Sequence, residues 1–496
     1  MYLALPDNGA TGRDGSQATI GRDDYECPSG RKYFWTESAM KVLDSEQWVG
    51  ENFGDCELGD QRRTKRLVKV ASNMLAAPEQ SIVQQNQQWA DVKAAYRFFD
   101  NDNVTFENVA QSHWHQTRQT KPGRYLLICD TTDIDHYSHE ATTGLGMLGD
   151  GQGRGMQLHN CLMYDCNAKL IHGAAGALIH YRKHKPKNET KVQRLKRERE
   201  TDIWGKLVDQ VGSAPEGSQW IHVWDRGGDN FEAMCHIHLS GNDWVVRAAQ
   251  LHRIVLTDDG RKTPLSKAID EAKLLGSYEL NLRSRPGIAA RTAKIEVSVV
   301  RVRYPRPSQH SKWVKQCGID ELSMTVVIVQ EVDSPQGIEP IRWVLLTSLP
   351  VETFAEAWQI IEDYENRWLV EEYHKVMKSG CSLEVHALRT ASRLEPLIAL
   401  VSVIGIRLFQ LKLIGRSQPD AKACTHVPAG WLRCLKLARP KIRLTDLSVY
   451  EFFRELAKLG GFLGRKHDGE PGWQTIWRGY RKLQSLLDGM RLTGAI

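Results

Sequence analysis

The spacing of apolar and polar positions changes several times along the chain, and each change marks an element. From residue 124, RYLLICDTTDIDHY reads as a buried strand ending in acids. NCLMYDCNAKLIHGAAGALIHYR predicts two more strands joined by a turn at Asn167. SQWIHVWDRGGDNFEAM predicts a fourth strand with an acid at its end, followed by a helix, and DWVVRAA supplies a fifth strand. Between about 250 and 340, Val and Ile alternate with Arg at the period of two expected of antiparallel strands. IRWVLLTSLP then leads back toward a helix. Ahead of the first strand, ELGDQRRTKRLVKVASNMLA predicts a helix capped by Asp60, and WADVKAAYRFF predicts a second.

Three strands, helix, strand, helix, strand, insert and helix is an α/β order of the ribonuclease-H type. The expected architecture is therefore a ribonuclease-H-like catalytic core at 109–410, with an antiparallel β insert at about 250–340. Helical domains flank it at 40–108 and 411–496, and residues 1–39, rich in Gly, Asp and Ser with no sustained apolar period, are expected to be a disordered extension.

Ala355 to Met377 contains no Pro or Gly and predicts one continuous helix. Its centre, YENRWLVEEYHKVMK, carries seven charged or imidazole side chains in fifteen positions. At about 100° per residue, Tyr364, Arg367, Glu371, Lys375 and Lys378 fall within an arc of roughly 80°. Trp358, Leu369, Tyr373, Val376 and Met377 collect on the opposite side. One face packs, and the other presents a carboxylate ringed by cations and a phenol. Glu372 lies about 100° from Glu371, so Glu371 is the inward acid.

The net charge of +6 is modest but uneven, with basic clusters at 61–69, 181–199 and 283–315. Fields of that sign favour a polyanion, most simply nucleic acid. Ten Cys without paired CxxC spacing in a chain of 496 residues support neither a zinc ribbon nor a disulfide scaffold. Cys235, His236 and His238 lack a second ligand pair and are expected on a buried helix face. No run reaches about 18 apolar residues, so no membrane partner is expected and the protein is placed in the cytoplasm.

Asp130 is expected to end the first strand, Asp225 to end the fourth, and Glu371 to ride on the returning helix. Adjacent strands of an open α/β sheet bring their carboxyl ends together. Three carboxylates gathered there repel one another unless cations neutralise them, and hard oxygen ligands select Mg2+, with Mn2+ as a substitute. Two such ions roughly 4 Å apart can activate an attacking oxygen and stabilise a leaving one in phosphodiester displacement. For Asp133, Asp135 and Asp229, turn capping is the preferred reading.

These motifs resemble the DDE transposases of bacterial insertion sequences, in the insertion-sequence-four family that includes the transposon-five transposase. The resemblance runs from about Trp48 to Met490 and is carried by LGDQRRTKRL, AYRF, ICDTTD, VWDR, WVVR, RWVLLTS, YENRWLVEEYHKVMKSG and the tail LGGFLGRKHDGEPGWQTIWRGYRKLQ. Its most specific element is Tyr364, Arg367, Glu371 and Lys378 in the spacing Y-x2-R-x3-E-x6-K. The resemblance implies that Asp130, Asp225 and Glu371 are a metal-binding catalytic triad holding two ions. Tyr364, Arg367 and Lys378, with Lys375 beside them, would contact DNA near the cut, and Trp343 would stack on a flipped base. Arg62, Arg63 and Arg66 would recognise the transposon inverted-repeat ends. The Trp-rich C-terminal helices would form a homodimer in a paired-end complex that also takes target DNA. The implied activity is cut-and-paste transposition through a hairpin intermediate.

Two rival readings stand beside this one. A catalytically silent end-binding inhibitor of a related transposase would keep the DNA contacts without needing three carboxylates. A tyrosine nucleophile is raised by His386 and Arg389 in an HxxR pattern with Tyr450 downstream. At the N-terminus, structure-like sequence begins at Met40, and translation is expected to start there. N-terminal mass spectrometry of the native protein should find Met40 first, and peptides from residues 1–39 would refute that start.

Overall fold

A computed structural model describes residues 45–493, apart from short stretches at 87, 150, 152, 183–187, 191–192, 194–198, 283, 285–288, 418 and 466–467. The expected extension at 1–39 and most of the 181–199 basic cluster lie outside the described residues.

Four helices open the described chain: α1 (Ser45–Phe53), α2 (Gln61–Ala76), α3 (Trp89–Phe99) and α4 (Phe106–Arg118). Asp60 caps α2 by accepting from the Arg62 N–H at 2.8 Å, and Thr105 caps α4 by accepting from Asn108. The first sheet strands follow: β1 (Gly123–Asp135), β2 (Gly146–Leu148), β3 (Gly153–Asp165) and β4 (Leu170–His180). Next come α5 (Asp202–Val211), β5 (Ser218–Trp224), α6 (Phe231–Leu239) and β6 (Asp243–Arg247). The region from 254 to 347 contains β7 (Ile254–Leu256), β8 (Lys262–Pro264), β9 (Lys273–Leu282), β10 (Arg291–Pro305), β11 (Glu321–Val332) and β12 (Arg342–Thr347). The larger helices beyond it are α7 (Phe354–Glu365), α8 (Trp368–Lys375), α9 (Ala391–Ser417), α10 (Ala429–Ala438), α11 (Val449–Leu459) and α12 (Trp473–Leu492).

The twelve strands of the described residues join one sheet in the order β2-β3-β1-β5-β6-β12-β11-β10-β7-β8, with β4 on β3 and β9 on β10. β1 pairs parallel with β5, and β5 parallel with β6, whereas the β3, β4 and β9–β12 pairings are antiparallel. The strands between 254 and 347 extend the same sheet through β12, which pairs with both β6 and β11.

Alternate residues of β1 serve two cores. Leu126 and Ile128 pack with Ile221, Val223 and Val245 in one, and Leu127 and Cys129 pack with Trp220, Trp224 and Trp244 in the other. That double burial explains the unbroken apolar run in the sequence. The first core also takes in α9, whose segment Ala391–Gly415 is apolar enough and long enough to span a membrane and is mostly buried within the protein. The Cys residues that are described are free thiols. Cys235 is buried as expected, but His236 and His238 are not core residues: His238 is exposed, and His236 stacks on Trp313 at 3.6 Å while bonding Asp209.

The single helix expected from Ala355 to Met377 divides into two. Thr353 and Glu356 form a capping box that starts α7. At Asn366 and Arg367 the ladder tightens, with bonds from Arg367 N to Tyr364 O (3.0 Å) and from Val370 N to Arg367 O (3.3 Å). A π-turn then runs over Val376–Gly380 and closes with Cys381 N donating to Val376 O at 3.1 Å. Composition predicted helix correctly here. The interruptions come from packing against the sheet and α9, which propensity does not register.

Asp229 is a structural anchor. Fully buried, it accepts from Ala249 N at 2.6 Å and Gln250 N at 3.2 Å and is paired with the buried Arg253, whose guanidinium lies over Tyr304. Replacing it by Ala leaves a buried cation without its partner, so Asp229→Ala should lower unfolding stability by about 3–5 kcal/mol in urea titrations followed by circular dichroism.

Candidate active site

The parallel register of β1 against β5 ends at Cys129 and Trp224. Asp130 and Asp225 are the next residues on each strand, so the pairing places them side by side. By strand alternation both share the face of Ile128 and Val223, the face covered by α7, α8 and α9. Asp130 does not end its strand, because β1 continues to Asp135 with β3 as partner. It is instead the point at which β1 loses its β5 neighbour.

Asp225 begins a tight turn, accepting from Gly227 N at 2.7 Å. Gly228 tucks under Trp224, where a Cβ would meet the indole at 2.6 Å, so the turn needs glycine there. Glu371 approaches from α8. Arg367 joins the acids: its Nη2 donates to Glu371 Oε1 at 2.7 Å, and its Nη1 lies 3.4 Å from Asp130 Oδ2. The Arg367 side chain is only 9% exposed, and its Nε has no partner.

Burial raises the Asp130 carboxyl to about 7, and the neighbouring Asp225 charge pushes the same way. The Thr131 N–H, at 2.7 Å, and the Arg367 guanidinium pull it down, while Glu371 adds to the upward push. The three carboxylates therefore interact through a poorly solvated space. Among the described residues, no group of three His, Cys, Asp or Glu stands ready to hold a metal ion. The guanidinium holds the position between Asp130 and Glu371. The donor set itself, oxygen only with no thiolate or imidazole, suits a hard divalent cation.

The other residues singled out from sequence have varied surroundings. Tyr364 is buried, edge-on to Trp343 at 5.2 Å and hydrogen-bonded to Arg247. Trp343 is itself only 9% exposed. Lys375 is exposed, and Lys378 in the π-turn pairs with Glu384 at 3.3 Å. Glu384 also accepts from Asp135 N, tying the turn to the far end of β1. Glu372 turns away to Lys412 on α9, at 2.6 Å. Tyr364 and Arg367 thus lie inside the protein and do not form the open cationic face that the wheel predicted, because α7 and α8 pack flat on the sheet.

In the N-terminal helices, Arg62 is 91% exposed and pairs with Asp60, Arg63 donates to Leu58 O, and Arg66 pairs with Asp91. Within the described part of the 283–315 cluster, Arg291, Arg301, Arg303 and Arg306 pair with Glu331, Glu352, Glu321 and Asp320. The Tyr450 hydroxyl is engaged by Glu470 and Arg454, which removes it from the role of a poised nucleophile.

Sequence reasoning overlooked a buried polar link behind the acids. His374, one turn past Glu371, bonds Asn160 at 3.2 Å, and Asn160 is the β3 partner of Asp130. The signal available was the polar pair HN (159–160) at the start of an apolar run.

Two family models match the chain. Residues 45–104 match the transposase DNA-binding family, and residues 403–495 match the transposase Tn5 dimerisation domain. A chain with a DNA-binding domain at one end, a dimerisation domain at the other and an acid-bearing sheet between them is a DNA transposase. The two matches support a transposon-five-like transposase of the insertion-sequence-four kind. DNA and a second copy of the chain are accordingly its partners.

An acid whose folded pKa exceeds its unfolded value binds more protons when folded, so its contribution to stability is greatest at low pH and is lost as pH rises through the folded pKa. For Asp130 the window runs from about 4 to about 7. In metal-free buffer the Tm of Asp130→Asn should therefore gain on wild type steadily across that window, as read by differential scanning fluorimetry.

Proposed function

We propose that Asp130, Asp225 and Glu371 are the catalytic acids of a cut-and-paste DNA transposase that cleaves element ends through a hairpin intermediate and joins the 3′-OH strands to target DNA. The observation that carries this reading is the strand register that sets Asp130 beside Asp225, with Arg367 linking Asp130 to Glu371 across the helix–sheet interface. The order β4-β3-β1-β5-β6, parallel at β1, β5 and β6 with an antiparallel β3–β4 edge, supports a ribonuclease-H-like core with an antiparallel insert.

The three carboxylates would hold two divalent cations, Mg2+ or Mn2+, which when bound supply an activated oxygen nucleophile and charge stabilisation for the leaving oxygen. The protein's own residues do the rest. Arg367 has a spare Nε donor and a fork geometry suited to a phosphate. A DNA phosphate that takes the guanidinium releases Asp130 and Glu371 together. Lys378, on a π-turn, exchanges Glu384 for the neighbouring phosphate. Trp343 leaves the edge of Tyr364 to stack on an extruded base, a contact that every base accepts. The chain of reactions is hydrolysis at the element end, attack of the new 3′-OH on the opposite strand to close a hairpin, hydrolysis of the hairpin, and attack of the 3′-OH on target DNA. Each hydrolysis breaks one phosphodiester bond with water and leaves a 3′-OH and a 5′-phosphate, each attack by a 3′-OH exchanges one phosphodiester bond for another, and no step needs a covalent protein adduct.

The silent-inhibitor alternative keeps DNA binding and dimerisation but has no use for a buried carboxylate cluster that costs folding stability. Asp225→Ala should leave end binding close to wild type in gel-shift assays while reducing Mn2+-dependent nicking of a labelled end duplex to background. Retained nicking would refute the assignment of Asp225.

A further inference from the structure

We propose that Asn160 and His374 are positioning residues for the acid cluster: their hydrogen bond holds α8 on the sheet, so that Glu371 stays opposite Asp130 once Arg367 has turned to DNA. The inference rests on the reading of Asp130, Asp225 and Glu371 given above. It adds two residues that touch neither the DNA nor the reacting atoms.

Glu371 sits in a short helix with irregular backbone on both sides. α8 has eight residues, follows the tightened ladder at Arg367 and runs straight into the π-turn at Val376. Continuity with its neighbours does not fix the axis of such a helix, so side-chain ties must locate it.

Arg367, Glu371 and His374 stand at i, i+4 and i+7, one stripe turned toward the sheet. Arg367, one turn before the acid, reaches Asp130 on β1 at 3.4 Å, and His374, one turn after it, meets Asn160 on β3 at 3.2 Å. Asn160 is the cross-strand partner of Asp130, and directly opposed residues point to the same face. Glu371 is therefore bracketed by two polar ties to neighbouring strands. Its other neighbours serve a different purpose: Tyr373 donates to Ser402 O at 2.8 Å and Glu372 pairs with Lys412, which fasten α8 to α9.

DNA acts differently on the two ties. Arg367 is the group a phosphate takes, and its hold on Asp130 is then given up. Asn160 is fully buried and His374 only 7% exposed, so the second tie lies out of a phosphate's reach. Burial brings the His374 imidazole down to about 3, and the neutral ring accepts from the Asn160 amide N–H.

Packing alone does not account for Asn160. Leu158 and Leu162, its neighbours on the same face of β3, belong to the first core, and the Asn160 Oδ1 is buried with no hydrogen-bond partner among the described residues. A leucine at 160 would avoid the cost of that unsatisfied acceptor. What leucine lacks is the N–H donor that His374 takes.

The test is calorimetric titration of Mn2+ into the full chain bound to a pre-cleaved end duplex, with nicking of the labelled intact duplex measured alongside. The double variant Asn160→Leu/His374→Leu replaces both partners by apolar side chains and orphans neither, so its Tm in metal-free buffer should stay at or above the wild-type value. Its Mn2+ affinity should nevertheless fall by about tenfold or more, and kcat for nicking by a similar factor, with KM for the duplex unchanged. The single variant His374→Gln keeps an acceptor where Nε2 stands and should bind Mn2+ nearly as tightly as wild type. Wild-type Mn2+ affinity and kcat in the double variant would overturn the proposal while leaving the assignment of the acids in place. An affinity loss accompanied by a matching fall in Tm would make the pair an ordinary core contact and overturn the positioning role as well. A wild-type chain that bound no Mn2+ and nicked no duplex would overturn the reading of the acids and this proposal with it.

Discussion

The structure depends on one register. Seven residues of β1 pair in parallel with seven of β5, and the ladder stops between Cys129 and Trp224. One residue later, two aspartates stand side by side on the face covered by α7, α8 and α9. A slip of one residue along either strand would turn one aspartate to the opposite core, among the tryptophans. The hydrophobic pattern forbids that slip, since Leu126 and Ile128 would exchange places with Leu127 and Cys129. The same packing that stabilises the sheet therefore dictates where the acids meet.

That placement is costly, and the protein offsets the cost locally. Asp130 is pushed up to about 7 because it is poorly hydrated and faces two other carboxylates. Arg367 supplies a buried countercharge. It reaches them because the helix tightens at Asn366 and Arg367, and the π-turn after Val376 then brings Lys378 against Glu384. The departures from regular helix sit where charged side chains must be aimed, which is where such irregularities concentrate.

Cations elsewhere divide into two groups. Four arginines of β10 and its flank, Arg291, Arg301, Arg303 and Arg306, are paired with acids on β11 and in adjoining loops. Those on the outer faces of α2 and α3 include Lys65 and Lys93, which point away from the protein. Counting basic residues along the chain treats the two groups alike, because the acids that distinguish them lie far away in sequence: Arg301 meets Glu352, and Arg291 meets Glu331.

The chain order of the main strands, the burial of β1, the cap at Asp60, and the choice of Glu371 over Glu372 as the inward acid were legible from sequence. Period, capping and helical rotation are local properties written into neighbouring residues. What the sequence could not determine was the break at Arg367, the burial of Tyr364 and Trp343, the diversion of Arg66 to Asp91, or the Asn160–His374 link behind the acids. Each of these depends on a contact between residues distant along the polymer, and the free energy of such a contact exists only once the chain has closed the loop between them.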